Sequence, residues 1–99
     1  MMRRSYAIGA DKYYSIDVTL DPLGMSYADV LVFGSKGEPK AYGFSDRDMQ
    51  RLLKKVLDDM DRYHVKIADI LRFKTDYMEH VLECGCAENR TRSNGKGQS

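Results

Sequence analysis

The stretch Ser45–Cys84, SDRDMQRLLKKVLDDMDRYHVKIADILRFKTDYMEHVLEC, contains neither glycine nor proline and carries apolar residues at helical spacing. One row recurs every seven residues and comprises Met49, Val56, Tyr63, Ile70, Tyr77 and Cys84. A second row lies four places further on and comprises Leu53, Met60, Ile67 and Val81. Together the rows span a helix face roughly 100° wide, which is typical of a helix that packs on a core. The pattern therefore predicts a helix over residues 46–84, about two fifths of the chain.

The ends of this helix also have sequence signals. Ser45 with Asp48 three residues later resembles a capping box, and Phe44 and Met49 could form the hydrophobic staple around it. Gly85 is a residue that can adopt the left-handed conformation in which many helices end. The sequence thus predicts Ser45 as the N-cap and a stop at Gly85.

The length of the helix raises the question of what covers it. A helix over 46–84 would be about 58 Å long, whereas a compact chain of this size has a radius of gyration near 13 Å. Either the helix breaks near 63–66 and folds back within a monomer, or a second chain covers its second half. Because no turn-forming glycine, proline, asparagine or serine lies there, we favour a long or bent helix in a homodimer. The self-association residues would be Tyr63, Ile67, Ile70, Tyr77 and Val81.

The segment before the helix has the pattern of a small antiparallel sheet. Residues 13–21 alternate between apolar and polar side chains, residues 26–34 are mostly apolar, and residues 40–44 form a short third strand. Residues 6–10 could add a fourth strand, and residues 1–5 are expected to fray. Residues 87–99, rich in Asn, Arg, Ser and Gly, predict a disordered tail. The fold class is therefore α+β: a meander of three or four strands, then a long amphipathic helix or a broken helix pair, in one domain over 1–86.

The meander has a second face. If the helix covers the face that carries Val30 and Val32, other large side chains must point elsewhere. We expect them to form a partner-binding patch, unless the N-terminal segment or the end of the helix covers them; the patch comprises Tyr27, Leu31, Phe33 and Tyr42.

One group of residues could bind a metal ion. His80 and Cys84 lie one helical turn apart and Cys86 follows, so these three ligands could converge on zinc, with Glu83, Glu88 or a second chain as the fourth. The alternative is a surface histidine beside two ordinary cysteines, and the expected cofactor is none.

Signals for catalysis are otherwise weak, and we do not expect an enzyme. His64 lies in the apolar stripe without a serine or cysteine placed as its nucleophile. The acidic cluster Asp58, Asp59 and Asp61 has basic neighbours at helical spacing, which favours a solvated face.

Composition limits the cell compartment and the class of protein that the sequence can represent. The 99 residues carry a formal charge of +1, 42% are hydrophobic and 31% are charged. We expect a small cytoplasmic protein without a membrane span or a disulfide framework, since Cys84 and Cys86 lie too close together to form one.

The entry into the helix, Lys40, Gly43, Phe44 and Ser45 after a meander, resembles the single-strand-binding coactivators. That resemblance implies a dimer formed through the helix, with nucleic acid on the sheet. The bases would stack on Tyr13, Tyr27 and Tyr42, and the phosphates would contact Arg3, Arg4, Lys12, Lys36 and Lys40.

The near-neutral charge favours a different function. We expect a non-enzymatic interaction protein, most simply a homodimer, that blocks or bridges a protein partner. Its size and build are typical of phage or mobile-element inhibitors of host defence nucleases. The alternatives are the single-strand nucleic-acid binder and a zinc-binding regulator.

Overall fold

The computed structural model describes residues 1–89, with side chains as far as Cys84. A four-stranded antiparallel sheet in the order β1-β2-β3-β4 is followed by two helices. The strands are β1 (Met2–Gly9), β2 (Lys12–Thr19), β3 (Ser26–Gly34) and β4 (Lys40–Asp46), and the helices are α1 (Met49–Arg62) and α2 (Ile67–Asn89). This confirms the α+β class, with a meander followed by a C-terminal helix pair. Residues 90–99 of the predicted tail lie outside the described residues.

The first strand is longer than the sequence predicts, because β1 begins at Met2 and pairs with β2 from Met2 to Gly9, with an irregularity at Ile8. The expectation that residues 1–5 fray is wrong. Met2 and Tyr6 are buried beneath α2, which gives the strand a core-facing side. Arg4, on the same side, donates to the Asp76 carboxylate of α2 at 3.1 Å. This long-range ion pair allows an arginine to lie in a half-buried strand.

The two central strands follow the predicted alternation. In β2 and β3 one set of side chains is buried under the helices; it comprises Tyr14, Ile16, Val18, Ala28, Val30 and Val32. A turn joins the two strands: the Gly24 amide donates to the Asp21 carbonyl at 3.3 Å and the Asp21 carboxylate accepts from the Leu23 amide. The alternation leaves the other set of side chains on the opposite face.

The first helix starts later than its sequence signals indicate. Ser45 and Asp46 still belong to β4, where Asp46 pairs with Ser26, so Ser45 is not the N-cap. Asp48 takes that role: its carboxylate accepts from the amides of Gln50 and Arg51 at 2.8 and 3.3 Å. Ser45 belongs to β4 and not to the helix because its pairing with β3 satisfies the hydrogen-bonding groups of its backbone.

The favoured continuous helix is wrong and the alternative of a break near 63–66 is confirmed, because the chain turns sharply after Arg62. The His64 amide donates to the Asp61 carbonyl at 3.1 Å and the Val65 amide donates to the Met60 carbonyl at 3.0 Å. These two bonds define a Schellman motif, in which the residue at the left-handed position is usually glycine. Here that residue is His64, with a φ of 63°. The two positions whose hydrophobic contact usually accompanies the motif are Met60 and Val65, and both are buried in the core.

The turn folds α2 back against β1 and α1, while α1 packs over β3 and β4. Phe73 and Tyr77 become fully buried in this way, and the Tyr77 hydroxyl donates to the Met49 carbonyl at 2.6 Å. Burial of side chains of this size contributes about 1.5 to 3 kcal/mol each. The end of α2 also differs from expectation, because the helix continues through Gly85 to Asn89.

The fold-back covers most of the residues that the sequence assigned to self-association. Tyr77 lies in the core of its own chain, and Tyr63, Ile70 and Val81 are partly buried against that core. Among the five residues only Ile67 is largely exposed, at 74%. No helix in the described part of the chain combines the length and the apolar character that a membrane crossing requires.

Candidate functional site

The face of the sheet that points away from the helices is not covered by any described element. We call it the open face; it comprises the outward-pointing side chains of all four strands. The strand register arranges its centre in rows. Arg3, Asp17, Asp29 and Gly43 form one row, and Ser5, Ser15, Leu31 and Ala41 form the next. Gly43 and Ala41 give these rows almost no side-chain bulk on β4 and Ser15 gives little on β2, so a shallow depression lies beside the larger side chains of β3.

Apolar and aromatic side chains flank these rows along β2 and β3. Tyr27 is 50% exposed, and Leu31 and Phe33 are 39% and 37% exposed. Tyr13 lies opposite Phe33 in the register, and their rings stack with centroids 5.5 Å apart. From Tyr27 to Phe33 the surface extends for about 20 Å along the strand. Such a set of exposed aromatic and aliphatic side chains is typical of the centre of an interface.

Two carboxylates lie at the centre of the open face. Asp17 and Asp29 are directly opposite each other in the β2–β3 pairing, where like charges destabilise a sheet. Arg3 compensates one of them, because its Nε donates to Asp17 at 2.7 Å. Asp29 has no ion-pair partner among the described residues. The open face thus carries one uncompensated carboxylate among apolar side chains.

A shallow depression of about 490 Å³ surrounds this pair of carboxylates and is lined in part by Ser15, Leu31 and Ala41. Gly43 keeps space open beside Asp29: a Cβ at this position would lie 3.0 Å from the Asp29 carboxylate and 3.0 Å from the Ala28 carbonyl. The depression could accept the end of a cationic side chain, whose charge would meet Asp29. A Lys or Arg with an apolar stem matches both the charge and the lining.

Sequence reasoning placed Tyr27, Leu31 and Phe33 correctly on the face that the helices leave uncovered, but it misplaced Tyr42. The register sets Tyr42 opposite Val30, on the covered face, and its hydroxyl donates to Asp59 at 2.6 Å. The predicted partner-binding patch omits Asp29, and it omits Tyr13, which the sequence assigned only to base stacking. The alternation of β2 and β3 indicates both residues. Asp29 lies two residues before Leu31 on β3, and Tyr13 lies opposite Phe33, so both point to the same side of the sheet as Leu31.

The covered face contains a polar cluster that the sequence did not reveal. Asp59 is only 3% exposed, and one of its oxygens accepts from the hydroxyls of Tyr14 and Tyr42, both at 2.6 Å. Burial and these bonds to Asp59 raise the pKa of both tyrosines far above the usual range. The tyrosines therefore stay protonated as donors. The predicted solvated face is wrong for Asp59, which anchors α1 to β2 and β4.

The proposed zinc ligands are described only in part. His80 Nδ1 lies 3.8 Å from a Glu83 carboxylate oxygen, and Cys84 Sγ lies 4.0 Å from the Leu20 carbonyl. The side chain of Cys86 lies outside the described residues. Within the described part of the chain, no three side chains of the types that bind metals come together. The zinc site stays a prediction.

The residues proposed to bind nucleic acid do not lie together. Tyr13 and Tyr27 are on the open face, whereas Tyr42 is not. Among the basic residues, Arg3 pairs with Asp17, Arg4 pairs with Asp76 beneath α2, and Lys40 Nζ lies 5.9 Å from the centre of the Tyr63 ring. Asp17 and Asp29 would repel phosphates from the middle of the surface.

Comparison of the chain with protein-family models, with curated proteins and with solved structures found no match.

Proposed function

We propose that this chain is a non-enzymatic interaction protein whose open face binds a protein partner and so blocks or bridges it. The observation that carries this proposal is the combination of exposed apolar side chains with an uncompensated carboxylate. Tyr13, Tyr27, Leu31 and Phe33 are 37% to 50% exposed around Asp29. A partner that places a lysine or arginine over Asp29, with apolar side chains on either side, matches this surface.

The folded state supports a rigid binding surface. The open face is built on the two central strands, which are paired on both sides along most of their length. Its opposite side packs on a core whose largest side chains are fully buried. The free-energy cost of ordering this face when a partner binds is therefore small, since rigid elements need no reorganisation on binding.

The proposal also extends to the class of the partner, which in one form is a nuclease. A nuclease has a basic nucleic-acid-binding surface, and a basic side chain is what Asp29 would accept. An inhibitor of a host defence nuclease, carried by a phage or mobile element and acting in the cytoplasm, is therefore one form of the proposal. Only the size and build of the chain and the charge of Asp29 support that form.

A second candidate is single-strand nucleic-acid binding. The stacked pair Tyr13 and Phe33, with Tyr27 further along the strand, is the observation in its favour, since exposed rings on a sheet can stack bases. The acidic centre of the open face counts against it. A titration with an unstructured oligonucleotide at low salt, with Tyr13→Ala as the variant, tests it: salt-sensitive binding that the variant loses would support it.

A site-specific photocrosslinker tests the leading proposal. It is placed at Leu31 on the open face and, as a matched control, at Lys54, whose side chain is 78% exposed on α1. In extracts of the native host, we expect the Leu31 probe to crosslink one protein through a peptide that contains Lys or Arg. Asp29→Asn should reduce that product and the Lys54 probe should not form it. Equal products from both probes, or no effect of Asp29→Asn, would contradict the proposal.

A further inference from the structure

A second apolar surface lies on α2, on the side that faces away from the sheet. Ile67, Leu71 and Leu82 are 74%, 58% and 67% exposed, and Met78 is half-buried beside them. At 100° per residue these four side chains fall within a sector of roughly 60°. We call them the α2 ridge. The core-facing residues Phe73 and Tyr77 belong to a different sector of the same helix.

The α2 ridge is symmetric along the helix. Ile67 and Leu71 are one turn apart, Met78 and Leu82 are one turn apart, and the midpoint of the four lies between Lys74 and Thr75. A second α2 that runs in the opposite direction about this midpoint would place Ile67 against Leu82 and Leu71 against Met78. Such a two-fold arrangement uses the same surface on both copies.

The exposed charges beside the α2 ridge change sign at the same midpoint. Within residues 67–84 the exposed charged side chains of α2 are Arg72 and Lys74 before the midpoint and Glu79 and Glu83 after it, while Asp69 and Asp76 are half-buried. An antiparallel pair brings Arg72 of one helix beside Glu79 of the other, while the two copies of Lys74 lie on either side of the two-fold axis. A parallel pair would set like charges together, which disfavours it.

We infer that a second copy of this chain is the occupant of the α2 ridge, with the two α2 helices antiparallel. The contact extends over about 22 Å of helix, so it is small and the dimer should be weak and concentration-dependent. The α2 ridge and the open face lie on opposite sides of the molecule. The dimer therefore presents two open faces outward, and it would be bivalent toward any partner that has two sites.

The mass in solution tests this inference. The mass of the chain is 11.4 kDa, and light scattering across a concentration series should show it rise toward twice that value. Leu71→Glu should hold the mass at that of a monomer. The matched control is Leu23→Glu, at a loop leucine that is 92% exposed, and it should associate like the parent. A parent that stays at 11.4 kDa throughout, or a Leu71→Glu variant that still associates, would overturn the inference.

The direction of the helices needs its own experiment. In a Cys84→Ser, Cys86→Ser background, Thr75→Cys lies near the two-fold axis and should form a disulfide-linked dimer on mild oxidation. Leu82→Cys should not, because its counterpart lies at the far end of the second helix. Equal crosslinking of both variants would indicate parallel helices and overturn the antiparallel arrangement. Arg72→Glu should weaken association, and the added Glu79→Arg should restore it.

Discussion

Replacement of Asp59 by alanine tests the polar cluster that joins α1 to the sheet. The change removes the acceptor of two hydrogen bonds of 2.6 Å and leaves the fully buried Tyr14 hydroxyl without a partner. A hydrogen bond to a charged group contributes about 1.5 to 3 kcal/mol. Tyr42 is half-buried and can bond to water instead, so most of the loss arises at Tyr14. We expect Asp59→Ala to lower the free energy of unfolding by about 3 kcal/mol, out of a total of roughly 5 to 15 kcal/mol.

Asp58→Ala is the matched control for this measurement. Asp58 is the adjacent residue on the same helix, but its side chain is 66% exposed and its only described ion pair is with Lys54 at 3.6 Å. Both variants make the same change in helix propensity. We expect Asp58→Ala to change the free energy of unfolding by less than about 0.5 kcal/mol.

Urea unfolding followed by circular dichroism at neutral pH is the assay. A loss of about 3 kcal/mol should move the midpoint by more than about 1 M at an unchanged slope. In a double-mutant cycle, Tyr14→Phe should cost much less in the Asp59→Ala background than in the parent. If Asp59→Ala and Asp58→Ala unfold at the same urea concentration, the reasoning about this cluster is refuted.

Three further predictions concern pH and the backbone. Burial raises the pKa of Tyr14 in the folded state, so above pH 10 the unfolded chain binds fewer protons, and stability should fall by about 1.4 kcal/mol per pH unit for this residue. Alkaline unfolding monitored by phenolate absorbance should therefore show a shallower pH dependence in Tyr14→Phe, and an unchanged slope would contradict this. Since His64 has a φ of 63°, His64→Gly should raise the thermal midpoint by relieving about 1 kcal/mol of backbone strain, whereas His64→Val should lower it; equal midpoints would argue against the left-handed turn. A Cβ at Gly34 would lie 2.6 Å from the Asp11 carbonyl, against 3.6 Å from the Lys12 Cβ at Gly9, so urea unfolding should show Gly34→Ala to be destabilised by about 1 to 3 kcal/mol more than Gly9→Ala.

The parts of the fold that the sequence predicted are those with a regular local pattern. Alternation in β2 and β3 predicted both the strands and the side that packs on the helices, and so it predicted three residues of the open face. The apolar rows after Met49 predicted the helical segments. Local patterns suffice there because the buried face of each element repeats with the period of its own backbone.

The parts that failed depend on long-range contacts or on unusual turn residues. His64 ends α1 in a position where glycine is the common signal, so the residue types at 63–66 do not indicate the break. Asp59 lies in the same helical sector as Leu52 and Val56, and a helical wheel would have shown a carboxylate on the buried side. Its partners on β2 and β4 follow only from the packing of α1 on the sheet. Arg4 likewise falls in the segment predicted to fray, because its partner Asp76 is distant in sequence.

The most direct test of the open face as the functional surface is the affinity of the crosslinked partner for three forms of the chain. Calorimetric titration should show that Asp29→Asn weakens binding about tenfold or more, since the loss of one member of a desolvated charge pair is costly. Asp58→Asn, an exposed carboxylate on α1, should bind like the parent, and added salt should narrow the difference between Asp29→Asn and the parent. Equal affinity of all three forms would contradict the account.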